Sequence, residues 1–64
     1  MNLKLERVKR RWSQDELSER ADVCRSVISK IENGQVDSVR FGILKKLAAA
    51  LDTTVADLFF TDEN

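Results

Sequence analysis

The stretch WSQDELSERADVCRSVISKIENG, residues 12–34, decides the fold. Ser13 stands three residues before Glu16. At that spacing an N-cap hydroxyl and a carboxylate each bond the other's free backbone N–H, a capping box. Trp12 before the cap and Leu17 after it form a hydrophobic staple, and Asp15 and Glu16 suit the positive end of a helix. The pattern predicts a helix from Gln14 to about Ala21, with Leu17 and Ala21 turned inward. Asp22 and Val23 break it, since Asp accepts the left-handed backbone of a tight turn better than most residues. A second helix starts near Arg25 with Cys24 at its cap, a poorer cap than Ser or Thr. Asn33 ends that helix and Gly34 takes the position just beyond it. Two short helices joined by a tight turn are a helix-turn-helix candidate.

The second of these helices has two unlike sides. Val27, Ile28 and Ile31 fall on one side of a helix. Arg25, Ser26, Ser29 and Lys30 point elsewhere; each carries a hydrogen-bond donor and none a negative charge. Glu32 is the only acid in the segment.

Outward from this core the chain reads as further helices. The spacing predicts a first helix over Leu3 to Arg10, with Leu5 and Val8, and Leu3 and Trp12 near the ends, facing a core and Lys4, Lys9, Arg10 and Arg11 on a basic outer side. After a loop at Gln35, Val36 and Asp37, either Asp37 or Ser38 is expected to cap a fourth helix reaching about Leu51. Phe41, Leu44, Leu47, Ala48 and Leu51 form its apolar stripe. Gly42 inside it costs about 1 kcal/mol relative to alanine, and close packing is the expected reason. Thr54, with Asp57 three residues on, opens a short fifth helix whose apolar side is Val55, Leu58 and Phe59. The tail at 61–64, TDEN, is acidic and expected to fray. The chain has no proline, two glycines and no strand-like alternation. The fold class is all-α, one domain over 1–64 with its motif at about 14–33.

Composition excludes several function classes. The lone Cys24 forms no internal disulfide framework, and without histidine a structural zinc site has no plausible ligand set. No apolar run spans a membrane and no leader pattern opens the chain, so a soluble cytoplasmic protein is expected. A free cysteine is ordinary in a reducing cytosol. There is no Gly-rich phosphate loop, no metal-spaced acid cluster and no sign of an activated nucleophile. The chain is therefore read as no enzyme, with no cofactor, no small-molecule ligand and no metal. Net charge is zero, but residues 1–34 carry eight basic and six acidic side chains against three and five in 35–64. The first half is the better partner for a polyanion.

At "WSQDELSERADV", "SVISKIENG" and "LAAALDTTVADLF" the chain resembles the Cro/C1-type helix-turn-helix family, also called the XRE family. "VRFGILKKLAAAL" looks like the fourth helix of lambdoid phage repressors. The resemblance covers nearly the whole chain and implies a compact five-helix, lambda-repressor-like DNA-binding domain. Such proteins lay the second motif helix in the major groove and set the first across the backbone. Carried over, the groove helix is 25–33, held to its partner by Leu17, Val23, Ile28 and Ile31. The resemblance also implies phosphate contacts from Gln14, Asn33 and Arg40. The chain departs from the pattern at Arg11 and Asp22, where glycine is usual, and at Cys24, where Ser or Thr is.

The donor-rich side then has a physical meaning. Phosphates repel carboxylates, and arginine can donate two hydrogen bonds to guanine O6 and N7. Arg25 is the first candidate for base readout and Lys30 the second; Ser26 and Ser29 can bond several bases. Glu32 is expected to turn back toward Arg7 in a structural ion pair. So small a domain has few base contacts, so a homodimer on a two-fold-symmetric double-stranded operator is expected, with Phe59 and Phe60 as candidates for its interface. The expected role is a transcriptional repressor. The alternative is a protein-interaction module of the same fold, such as an antitoxin component or a partner-regulated accessory protein.

Overall fold

The computed structural model describes residues 3–60. Among them are α1 (Leu3–Lys9), α2 (Gln14–Ala21), α3 (Arg25–Glu32) and α4 (Phe41–Ala50), a 3-10 turn at Val36–Ser38 and a π-helical turn at Ala56–Phe60. The described residues contain no strand. The all-α, five-helix reading holds, with the π turn as the fifth helix. The TDEN tail lies outside the described residues.

Helix starts follow local chemistry. Ser13 Oγ accepts the Glu16 N–H at 3.0 Å, as the capping spacing predicts. The Glu16 carboxylate, expected to reach back to Ser13, instead accepts from Arg20 Nε at 2.7 Å one turn along. Thr54 Oγ1 caps the terminal turn in the same way, accepting the Asp57 N–H at 3.0 Å.

Helix stops use one device four times. The chain enters the left-handed region at Arg11 (φ 60), Asp22 (φ 57), Gly34 (φ 89) and Asp52 (φ 57). After α3 the Gln35 N–H donates to Lys30 O and the Gly34 N–H to Ile31 O, both at 3.0 Å. This double bond pattern is the Schellman motif, and it satisfies carbonyls that a helix end leaves free. Trp12 and Arg11 repeat it after α1, and Thr53 and Asp52 after α4. Three of the four left-handed positions lack glycine, each at a cost of about 1 kcal/mol or more.

Leu17, Ile28, Leu47, Leu51 and Leu58 are the largest fully buried side chains. α2 packs on both α3 and α4, and α1 packs on α3. The tight turn between α2 and α3 is fastened by Ser18 Oγ, which donates to Val23 O at 2.6 Å.

Four further expectations are corrected. First, Leu5 and Val8 do not face the core; they are 52% and 51% exposed, while Leu3 and Glu6 on the same helix are buried. The inward side of α1 is polar because its groups satisfy one another. Arg10 Nη1 donates to Glu6 Oε1 at 3.1 Å and to Glu6 O at 2.9 Å, and its Nη2 donates to Leu51 O at 2.9 Å. The hydrogen bond from Arg10 holds the Glu6 carboxyl below its usual range, outweighing the opposite push of burial, with help from Lys9. Arg10 is thus a tie between α1 and the end of α4, not an outer basic residue. Second, neither Asp37 nor Ser38 caps α4. Ser38 Oγ donates to Gln35 O at 3.0 Å inside the 3-10 turn, and α4 begins after Arg40 without a side-chain cap. Third, Phe41 leaves the stripe and is 57% exposed. Fourth, no close packing surrounds Gly42: a Cβ there would meet no heavy atom within 4 Å.

Candidate nucleic-acid interface

At about 100° per residue, positions 25, 26, 29, 30 and 33 share one arc of α3 of about 140°. Arg25, Ser26, Lys30 and Asn33 are exposed there, and Ser29 is half-buried. The opposite arc packs Ile28 and Ile31 into the core, with Val27 against its edge. The outer arc holds two cations, two hydroxyls and an amide, and no carboxylate. Such an arc suits an acceptor-rich, negatively charged surface.

Glu32 leaves this arc and points inward. It accepts from Arg7 Nε at 2.8 Å and Nη2 at 3.2 Å, a two-pronged pair with both side chains nearly buried. Arg7 Nη1 also donates to Trp12 O at 2.7 Å. One guanidinium thereby joins α1, the α1–α2 junction and the end of α3. Burial pushes the Glu32 carboxyl up, but the hydrogen bonds from Arg7 and Gln14 and the charges of Arg7 and Lys4 together hold it below its usual value.

Gln14 extends the chain of bonds. Its Nε2 donates to Glu32 Oε1 at 3.0 Å, which leaves its Oε1 facing α3. There it accepts from Arg25 Nε at 3.4 Å. Asp15 Oδ1 lies 3.6 Å from the same nitrogen. The first turn of α2 and the first residue of α3 therefore meet at Arg25. Asn33, at the opposite end of α3, and Arg40 are exposed on either side of the 3-10 turn.

Sequence reasoning missed three things here. Asp15 reads in sequence only as a favourable charge at a helix start, and its approach to Arg25 depends on how α2 and α3 cross. The phosphate role expected of Gln14 does not reveal that both ends of its amide bond within the fold, to Glu32 and Arg25. Trp12, expected in a staple, packs partly buried against the core and also lies under the Arg20 guanidinium, 4.4 Å from ring centroid to Cζ. An arginine eight residues from a tryptophan across a helix start gives no recognisable pattern in sequence. Cys24 is exposed and makes no side-chain cap bond.

Phe59 and Phe60 are separated by the terminal turn. Phe59 packs partly buried against the core, whereas Phe60 is 62% exposed. Among the described residues no group of acids and cysteine could hold a metal ion, and no helix is long and apolar enough to cross a membrane.

No curated protein and no solved structure matches the chain. A family model described as helix-turn-helix matches residues 3–58, which takes in α1 to α4 and the capped start of the terminal turn. That span contains both motif helices, the left-handed turn at Asp22 between them and the carboxylate-free arc of α3. The chain belongs to the Cro/C1-type (XRE) helix-turn-helix family of DNA-binding regulators.

Proposed function

We propose that the protein is a sequence-specific repressor that places α3 in the major groove of double-stranded DNA. The observation that carries this reading is the outer arc of α3. It exposes Arg25, Ser26 and Lys30 with the half-buried Ser29 between them, while the helix's one acid is drawn inward by Arg7. Arg25 reads guanine through two parallel hydrogen bonds, Lys30 reads guanine or grips phosphate, and the two serines add tolerant contacts. Gln14, Asn33 and Arg40 hold the backbone and set the register without reading sequence. Repression follows from occupying a promoter that polymerase must enter.

Each domain offers few base contacts, so the functional unit is a homodimer. Phe60 supplies the interface contact, because it is the large apolar side chain that the terminal turn leaves outside the core. The two half-sites lie about 34–36 Å apart, one helical turn of the duplex. The chain, one domain over 1–64, acts in the cytoplasm without cofactor or catalysis.

Selection from random duplex DNA, followed by sedimentation on the selected site, tests this reading. The expected result is a two-fold-symmetric consensus bound by two protomers, and a Phe60→Ala variant that binds it with lower cooperativity. A monomer on a consensus without symmetry would refute the dimer. A second reading has its own observation: Leu5 and Val8 expose apolar surface on the outer side of α1. A module that binds a partner protein would use that side, and it would show no enriched DNA sequence.

A further inference from the structure

The first turn of α2 carries an acid, Asp15, beside the arginine proposed to read DNA. A carboxylate at that place repels the phosphates that the rest of the surface attracts. Its position suggests what offsets that repulsion. Asp15 Oδ1 lies 3.6 Å from Arg25 Nε, on the same edge of the guanidinium that Gln14 Oε1 contacts at 3.4 Å. Gln14 cannot turn its amide over without putting its oxygen against the Glu32 carboxylate, which it now meets with Nε2 at 3.0 Å. Glu32 is fixed in turn by Arg7. Both contacts thus fall on Nε, and among the described residues no hydrogen bond engages Nη1 or Nη2 of this side chain, which is 63% exposed. Guanine O6 and N7 require two parallel N–H groups from one edge of the arginine.

We infer that Asp15 is a positioning residue: with Gln14 it pins the Nε edge of Arg25, presents the Nη edge to guanine, and so sets specificity at one base pair from α2. This rests on the proposed readout by Arg25. It adds a requirement that the readout alone does not make, because an arginine on a flexible stem could reach a base unaided. Asp15 has two opposite effects on binding. It sharpens the choice of base through Arg25, and it weakens binding to any duplex through repulsion of phosphate. A residue with a merely structural role would move both affinities in the same direction.

The experiment measures affinity by fluorescence anisotropy for two duplexes in 100 mM salt (roughly physiological screening). One carries the selected site. The other differs at the base pair whose discrimination Arg25→Ala abolishes. The proteins are wild type, Asp15→Ala, Asp15→Asn, Arg25→Ala and the Asp15→Ala/Arg25→Ala double variant, each checked for helicity by circular dichroism. An exposed charge pair is worth up to about a five-fold factor. Asp15→Ala is expected to lower discrimination by about that much while tightening binding to the altered site about two- to five-fold. Asp15→Asn, which keeps an acceptor oxygen, is expected to restore part of the discrimination. In the Arg25→Ala background the Asp15 change is expected to tighten both duplexes equally. If Arg25→Ala alters discrimination and Asp15→Ala does not, the positioning role is overturned and the readout stands. If Arg25→Ala alters discrimination at no base pair, both fall. Equal loss on both duplexes in Asp15→Ala would mark a structural residue and also overturn the proposal.

Discussion

Residues 3–34 and residues 35–60 are held by different means. In the first region α1, α2 and α3 share an apolar core and are also tied by directed bonds. Arg7 reaches Glu32 and Trp12 O, Gln14 reaches Glu32, and Arg25 reaches Gln14. In the second region α4 and the terminal turn are anchored by Leu44, Leu47, Ala48, Leu51 and Leu58. Among the described residues, Arg10, on Leu51 O, and Lys46, on Asp22, link the two regions through side-chain bonds to helix ends. The difference has a functional logic. Apolar burial stabilises a helix but is indifferent to small rotations, whereas hydrogen bonds fix direction. The region that must aim side chains at a ligand is the one with directed ties.

The largest break falls in the second region. Leu47 is fully buried, so Leu47→Ala is expected to cost about 4 kcal/mol, a large fraction of the stability of so small a domain. Urea denaturation followed by circular dichroism measures it. Next comes the first region's tie. Arg7→Ala leaves Glu32 buried without its cation and is expected to cost about 3 kcal/mol. If the comparison is sound, the Arg7 change also lowers DNA discrimination among molecules that remain folded, and a milder Leu47→Val change does not.

Acid sharpens the same contrast. Glu6 and Glu32 both titrate below the ordinary value of 4.5 in the folded state. A depressed folded-state pKa gives stabilisation that is complete above the unfolded value and is lost as pH falls through the folded one. Stability is therefore expected to be flat from neutral pH to about 5 and to drop below 4.5. Glu32→Gln is expected to lose part of that drop, and unfolding midpoints at pH 7 and pH 3.5 reveal it.

The smallest effects concern backbone. Gly42→Ala meets no atom and is expected to stabilise α4 by up to about 1 kcal/mol. Gly34→Ala, at φ 89, is expected to destabilise by about as much. Arg11→Gly, at φ 60 in the same kind of helix stop, is expected to stabilise. Cys24→Ser offers α3 the side-chain cap it lacks and is expected to add about 0.5–1 kcal/mol. Thermal melts of the four variants rank them.

The motif helices were legible because short-range chemistry marks their ends: Ser13, Asp22 and Gly34 each act within one turn. The inward side of α1 was not. Leu5 and Val8 form a convincing apolar pair by spacing, yet Leu3 is the apolar residue that enters the core. Glu6 and Arg10 accompany it because each satisfies the other, and spacing counts residue types without knowing partners. The start of α4 was missed because Ser38 spends its hydroxyl on Gln35 O in a turn that no cap pattern announces. At the interface, the exposed arc of α3 was readable from helical period alone. The contacts of Gln14 and Asp15 with Arg25 were not, since they depend on how two helices cross.

The most direct test of the central claim compares Arg25→Ala with Arg40→Ala on the selected site and on every single-base-pair variant of it. The account predicts that Arg25→Ala removes about 1–3 kcal/mol of discrimination at one position per half-site and little elsewhere. Arg40→Ala should instead weaken all duplexes nearly equally and reduce the salt slope by about one. An Arg25→Ala variant that weakens every duplex alike, or none, would contradict readout by α3.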